Sequence, residues 1–163
     1  MAFTPTTDGF RCGPSHARSA GARGDARRSF VRLMLYSLDS NIVIALMAHH
    51  PAALKRTMRH RPGDVVLSSI VVHELMFGAF NSERVTANLD RLSALDFPVL
   101  SFDADDGRVA GEIRARLRRT GTPIGPFDVL IAGQSLARDL TLVTANTREF
   151  ARIKGLRLEN WME

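Results

Sequence analysis

The chain holds one cysteine, Cys12, in 163 residues. That excludes an internal disulfide framework and a zinc site built on several cysteines, and it suits a reducing compartment such as the cytoplasm. No apolar run approaches the roughly 18–20 residues that cross a bilayer, so no membrane partner is expected. No continuous apolar core of about 7–15 residues marks a secretory signal. Phosphate-cradling GxxxxGK[ST] and GxGxxG motifs are missing. His73-Glu74 starts like a zinc-binding HExxH, but Phe77 stands where the second His must be. No His falls at a predicted strand end beside a candidate Ser, so a Ser/His/Asp set has no support. Asn41 stands where a haloacid-dehalogenase-type phosphatase needs its second aspartate.

What remains is an ordinary globular composition, 45% hydrophobic and 24% charged, at a length that suits one folded domain. The net charge of +5 is unevenly spread: residues 1–33 carry six Arg and two Asp, net +4, whereas the rest carries 16 Lys+Arg and 15 Asp+Glu, net +1. The basic balance therefore belongs largely to the tail and says less about a nucleic-acid-binding domain than the total suggests. Residues 1–33 are rich in Gly, Ala, Arg, Ser, Thr and Pro and read as a disordered basic tail, or as an extension of the reading frame upstream of a natural start at Met34. A transit peptide and a basic arm touching RNA are the other readings. The folded domain is expected over 34–163.

From residue 33 on, strand-like and helix-like stretches alternate. Strands are expected at 33–38, 65–68, 97–101, 140–144 and near 156–159. Helices are expected at 40–49, 51–60, 69–80, 82–95, 103–119, 126–137 and near 147–153. Pro51 and Pro126 stand at first-turn positions, Ser82 reads as a cap, and Gly121 ends its helix. Pro98 points to an edge for the third strand. Strands separated by helices imply an α/β fold: three α/β/α layers about a central, mostly parallel sheet of about four to five strands, joined by right-handed crossovers.

Polar residues recur where these strands end. Asp39 closes the first apolar run, Glu74 lies in the second turn of the helix after the second strand, Asp128 lies in the first turn after Pro126, and Asn146 follows the fourth strand. On a parallel sheet these positions open on one edge, where ligands of such folds bind. Each also has a plainer reading. Asp39 and Asn146 are good helix caps, and Asp128 complements a helix N-terminus. Ser40 or Asn41 could cap the first helix and leave Asp39 free. Glu74 is harder to dismiss, because Leu75, Met76 and Phe77 follow it directly and an acid in so apolar a helix needs solvent or a cation. Clustered carboxylates repel unless protonated or bridged by metal, and hard oxygen ligands select Mg²⁺ or Mn²⁺. Such a site can activate water and stabilise in-line displacement at a phosphodiester. Arg114, Arg116, Arg118 and Arg119 could line an RNA groove or form a solvated helix face.

Four pieces, in order and spacing, resemble the PIN-domain ribonucleases, and within them the VapC-like toxins of type II toxin–antitoxin pairs. They are Leu38-Asp39-Ser40-Asn41-Ile42, Glu74-Leu75-Met76-Phe77-Gly78, Gly125-Pro126-Phe127-Asp128-Val129-Leu130-Ile131-Ala132 and Thr144-Ala145-Asn146-Thr147-Arg148-Glu149-Phe150, and the likeness runs from Met34 to Trp161. The resemblance implies Mg²⁺ (or Mn²⁺) held by Asp39, Glu74 and Asp128, with Asn146 in a fourth position where many members carry Asp. It implies a cytoplasmic metal-dependent endoribonuclease, an RNA substrate, a homodimer, and a VapB-like antitoxin whose C-terminal tail covers the site in a hetero-oligomer. Ser40 stands where Thr is usual, and Thr144 is expected to orient the site. Asn146 cannot add charge or act as a base, which leaves open one metal or two. Glu74 is either a ligand or the group that positions or deprotonates water. The competing classes are a catalytically inactive PIN-like module that binds RNA or regulates, and a nuclease acting on DNA.

Overall fold

The computed structural model describes residues 36–163. The expectations for residues 1–33, and the start of the strand expected at 33–38, lie outside that range. In chain order the elements are β1 (Tyr36–Leu38), α1 (Ser40–Met47), α2 (Pro51–Thr57), β2 (Val65–Ser68), α3 (Ser69–Phe80), α4 (Val85–Ser93), β3 (Val99–Leu100), α5 (Ala104–Arg119), α6 (Pro126–Ala137), β4 (Thr141–Val143), α7 (Thr147–Phe150) and β5 (Arg157–Glu159).

The five strands form one sheet in the order β3-β2-β1-β4-β5, and every neighbouring pair is parallel. The central strands are short runs of apolar residues because both faces are covered; all four residues of β2 are buried. Leu38 pairs with Leu67 on one side and Val143 on the other, so the residues after β1, β2 and β4 leave the sheet level with one another. The order also fixes where the sheet opens. From β1 the chain steps to β2 on one side, while from β4 it steps to β5 on the other. Right-handed crossovers then put α1 and α7 on opposite faces, and the loops after β1 and β4 diverge. Crevices of this kind, at the carboxyl ends of the strands, are where open α/β sheets bind ligands.

The core gathers Leu38, Ile42, Val43, Leu142, Val143, Phe150 and Trp161, all fully buried. Tyr36, His60 and Trp161 close its far end, with the His60 and Trp161 rings stacked at 5.0 Å. α5 and α6 pack most closely. Gly133 lies against Ala110 so tightly that a Cβ there would stand 2.5 Å from the Ala110 Cβ and 2.7 Å from its Cα. The same pair is tied by Asp106, only 1% exposed, which accepts from Gln134 Nε2 at 2.8 Å and from Arg138 Nε at 3.0 Å. Burial opposes Asp106 ionisation most strongly, but hydrogen bonds from Arg138, the Asp103 backbone and Gln134 outweigh it and hold the carboxyl below its ordinary range.

Several boundaries differ from expectation for local reasons. The helix expected at 82–95 starts at Val85 behind Arg84, not behind Ser82. The Ser82 hydroxyl instead donates to the Ala79 carbonyl at the end of α3 and accepts from Asn88. β3 is two residues long and lies at the edge, and Pro98, which has no N–H to give, contributes its carbonyl to Leu67 N at 2.9 Å. α2 stops at Thr57, whose hydroxyl turns back to the Ala53 carbonyl, and α7 is a single turn, Thr147–Phe150.

Candidate active site

Asp39 is the residue through which the crevice is built. Its backbone continues the ladder by donating to the Val143 carbonyl at 2.9 Å, and its extended φ and ψ of −78° and 157° turn the chain into α1. Capping falls to Asp39 itself rather than to Ser40 or Asn41: Oδ1 accepts from Ser40 N at 2.7 Å. The geometry explains this, because an extended residue immediately before a helix aims its own side chain at the free N–H groups of the first turn. Oδ2 accepts from Asn41 Nδ2 at 2.6 Å and from the Thr144 hydroxyl at 2.7 Å. Asn41 also reaches across the crevice, its Oδ1 accepting from Ala145 N at 3.0 Å. The carboxylate is 4% exposed and Thr144 is fully buried, so Asp39 is clamped in one orientation by both switch-point loops.

Glu74 and Asp128 approach from α3 and α6, which pack against each other. Both carboxyls are pushed above their ordinary range. For Glu74 the causes are burial, then the charge of Asp39, with Asp128 adding to it and the Ser40 hydroxyl and His73 partly offsetting it. For Asp128 they are burial, then Asp39, then Glu149, against a backbone hydrogen bond from Gly125. The charge of Asp39 thus reaches both Glu74 and Asp128 across the crevice. Glu74 Oε2 is buried without a hydrogen-bond partner among the described residues. Asp128 is held against Gly125, where a Cβ would stand 2.8 Å from its Oδ2.

Asn146 lies at the same edge but does not hydrogen-bond to the three acids. Its backbone N–H donates to the Thr144 hydroxyl at 3.0 Å, and its Nδ2 donates to Glu149 Oε2 at 3.1 Å. It precedes α7 without a side-chain capping bond. Glu149 is the acid that sequence reasoning did not single out, although its charge is felt at Asp128. The available signal was its place three residues after Asn146 on a helix: i and i+3 side chains share a face, so a neutral amide at 146 can carry a carboxylate into the crevice. Arg114 and Arg118, with Pro123, Ile124 and Pro126, line a groove of about 490 Å³ beside the start of α6. Arg116 and Arg119 are exposed.

The donor set suits a hard divalent cation. All the acids offer oxygen, their crowding is relieved by positive charge, and the orphaned Glu74 Oε2 is a ready ligand position. Among the described residues no group of three or more His, Cys, Asp or Glu side chains already stands arranged to hold an ion, so joint ligation by the three acids would require their carboxylates to draw closer together. Among the described residues no helix is long and apolar enough to cross a membrane.

Comparison with known proteins is consistent across sequence and structure. The PIN domain family matches residues 36–156. The chain is similar to the tRNA(fMet)-specific endonuclease VapC of Shigella flexneri, 39% identical over 131 residues that cover 79% of this chain and 99% of that protein. It is similar to the ribonuclease VapC2 of Rickettsia felis, at 35% identity over 78% of this chain and 98% of that one. Among solved structures, the DNA-bound VapBC of Salmonella typhimurium superposes with a TM-score of 0.74 at 36% identity, covering 78% of this chain and 98% of that chain.

Proposed function

We propose, from the premise that this chain belongs to the PIN-domain family, that it is the toxin of a type II toxin–antitoxin pair and acts as an endoribonuclease. The observation that supports the reading is that the charge of Asp39, at the sheet's switch point, is felt by both Glu74 and Asp128, while one Glu74 oxygen is buried and unpaired among the described residues. PIN nucleases are metal-dependent as a class, and here Mg²⁺ or Mn²⁺ would be held by Asp39, Asp128 and Glu74. When bound, the ion supplies Lewis-acid stabilisation of charge on the phosphoryl group and makes water a stronger nucleophile.

The chain's own residues do the rest. Asn41 and Thr144 fix the Asp39 carboxylate, so it needs no reorganisation as charge develops. Glu74, pushed toward the proton-holding form, is suited either to ligation or to taking the proton of the attacking water. Glu149, held by Asn146, extends the negative lining toward Asp128 and takes over the charge that Asn146 lacks. We place the catalytic domain at 34–163 and its action in the cytoplasm, where RNA is found. We also assign it a VapB-like antitoxin partner, as the VapBC complexes among the solved relatives suggest, and a homodimer, as the family resemblance implies. Substituting Asp39→Asn or Asp128→Asn should lower RNA cleavage by at least about a hundredfold, with circular dichroism unchanged and the heat of Mg²⁺ binding lost in calorimetric titration. Wild-type cleavage by either variant overturns the assignment.

A further inference from the structure

We infer that Phe127 and His73 form a stacking platform for an unpaired base of the RNA, next to the bond that is cut; this rests on the ribonuclease reading above. Phe127 immediately precedes Asp128 and His73 immediately precedes Glu74, so each acid of α6 and α3 carries a ring beside it. The two rings meet at 5.4 Å with their planes at 57°. Phe127 is 41% exposed and His73 is exposed, whereas Phe150 and Trp161 are fully buried. Leaving a phenyl ring half in water forgoes part of the stabilisation that burial gives. The position is also defined on its backbone side, because Pro126 fixes φ in the first turn of α6.

The surroundings select the occupant. The carboxylates Glu74 and Asp128 directly follow the two rings in the chain. Pro126, which directly precedes Phe127, lines with Ile124 the groove that carries Arg114 and Arg118. An apolar side chain from a protein partner would cover the rings and leave charge of both signs unmatched at its rim. A nucleotide fits all three regions: its base has a π-face for the rings, its scissile phosphate meets the metal-binding acids, and the next phosphate meets an arginine. Stacking on exposed aromatic side chains is the usual means of holding single-stranded RNA, and it requires a base free of its pairing partner.

The test uses the full chain, with a short unstructured oligoribonucleotide and the same strand annealed to its complement as probes. Binding is followed by fluorescence anisotropy in EDTA, and cleavage is followed with Mg²⁺ or Mn²⁺. Phe127→Leu keeps an apolar side chain but removes the π-face. It should weaken binding of the single strand about tenfold or more, with the loss appearing in KM, while Phe127→Tyr stays close to wild type. Binding of the duplex should barely change in either variant. Phe127→Trp adds an exposed fluorophore to a chain whose one native Trp is buried, and its emission should be quenched by the single strand. If Phe127→Leu binds and cleaves like wild type while wild type is active, the platform is wrong and the nuclease reading stands. If Phe127→Leu leaves RNA untouched but weakens the complex with the antitoxin, the rings are a protein contact and the inference is overturned. If wild type cleaves no RNA with either metal, both readings fall.

Discussion

At the scale of single residues, the site is held at a cost to the fold. Glu74 and Asp128 have carboxyls raised above their ordinary values of 4.5 and 3.8, by burial first and by neighbouring carboxylates next. An acid with a raised folded pKa binds more protons folded than unfolded between the two values. Its contribution to stability is therefore complete below the ordinary pKa and is lost as pH rises through the folded one. Metal-free protein should accordingly melt lower at neutral pH than the uncharged variant Glu74→Gln, by on the order of 2–4 °C, and the two should converge near pH 4. Added Mg²⁺ should raise the melting temperature of wild type more than that of the variant. Thermal melts across pH with and without Mg²⁺ check this, and a lower melting temperature for Glu74→Gln at neutral pH would contradict it. Gly125→Ala probes the same site from outside. The new Cβ would stand 2.8 Å from Asp128 Oδ2, the mobile end of a side chain, so stability should shift by less than about 1 kcal/mol. RNA cleavage and Mg²⁺ affinity should nonetheless fall about tenfold, because the displaced atom belongs to a proposed ligand. The sequence singles out Asp39 because it ends a strand, Asp128 because it lies in a helix's first turn, and Glu74 because it is an acid in an apolar helical stretch. Glu149 is not singled out, because only the Asn146 side chain turned back on α7 reveals where its carboxylate goes.

At the scale of elements, the pair α5–α6 is what presents Asp128. The helices approach at Gly133 and Ala110, and an added Cβ at 133 meets backbone atoms at 2.7 and 2.8 Å that cannot turn aside. Gly133→Ala should therefore destabilise by about 1–3 kcal/mol or more, visible as a lower denaturant midpoint with an unchanged slope. RNA cleavage should drop with it, because moving α6 moves Asp128. Unchanged stability would mean that the helices part easily and that the close approach is incidental. Most of these elements could be read in advance: apolar periodicity and the prolines at 51 and 126 marked α2 and α6 to within a residue or so at their starts. The errors fall where a side chain serves two partners. Ser82 has the residue type of a cap, yet its hydroxyl closes α3. Asp39 carried two readings in the sequence, helix cap or free ligand, and it caps α1 with one oxygen while its second accepts from Asn41 and Thr144. A residue's type states what it can bond; which bond it makes depends on a partner about a hundred residues away.

At the scale of the whole molecule, the alternation of strands and helices implied a parallel sheet, but not the order of its strands. That order, β3-β2-β1-β4-β5, puts the switch point between β1 and β4, and with it the choice of Asp39 and Thr144 as the clamped centre. The same topology leaves an apolar groove of about 370 Å³ that begins at Ser40 and Glu74 and runs between α1, α3 and α4 past Ile44, Met47 and Arg91. Ile44 is 57% exposed on its wall, and Phe77 and Phe80 on α3 are 66% and 64% exposed. A peptide laid in this groove would cover Ile44 and reach Ser40 and Glu74, a path by which an antitoxin tail would arrive at the acids. Placing a charge at Ile44 separates inhibition from catalysis, because the residue belongs neither to the buried core nor to the acidic cluster. Ile44→Glu should weaken the toxin–antitoxin complex at least about tenfold, since burial of an isoleucine is worth about 1.5–3 kcal/mol. Cleavage of RNA by the isolated chain should stay near wild type. In cells that co-express the antitoxin, the variant should restore growth arrest; Asp39→Asn combined with Ile44→Glu should not. If the antitoxin still neutralises Ile44→Glu at wild-type concentration, its tail reaches the site by another path and the groove has a different occupant.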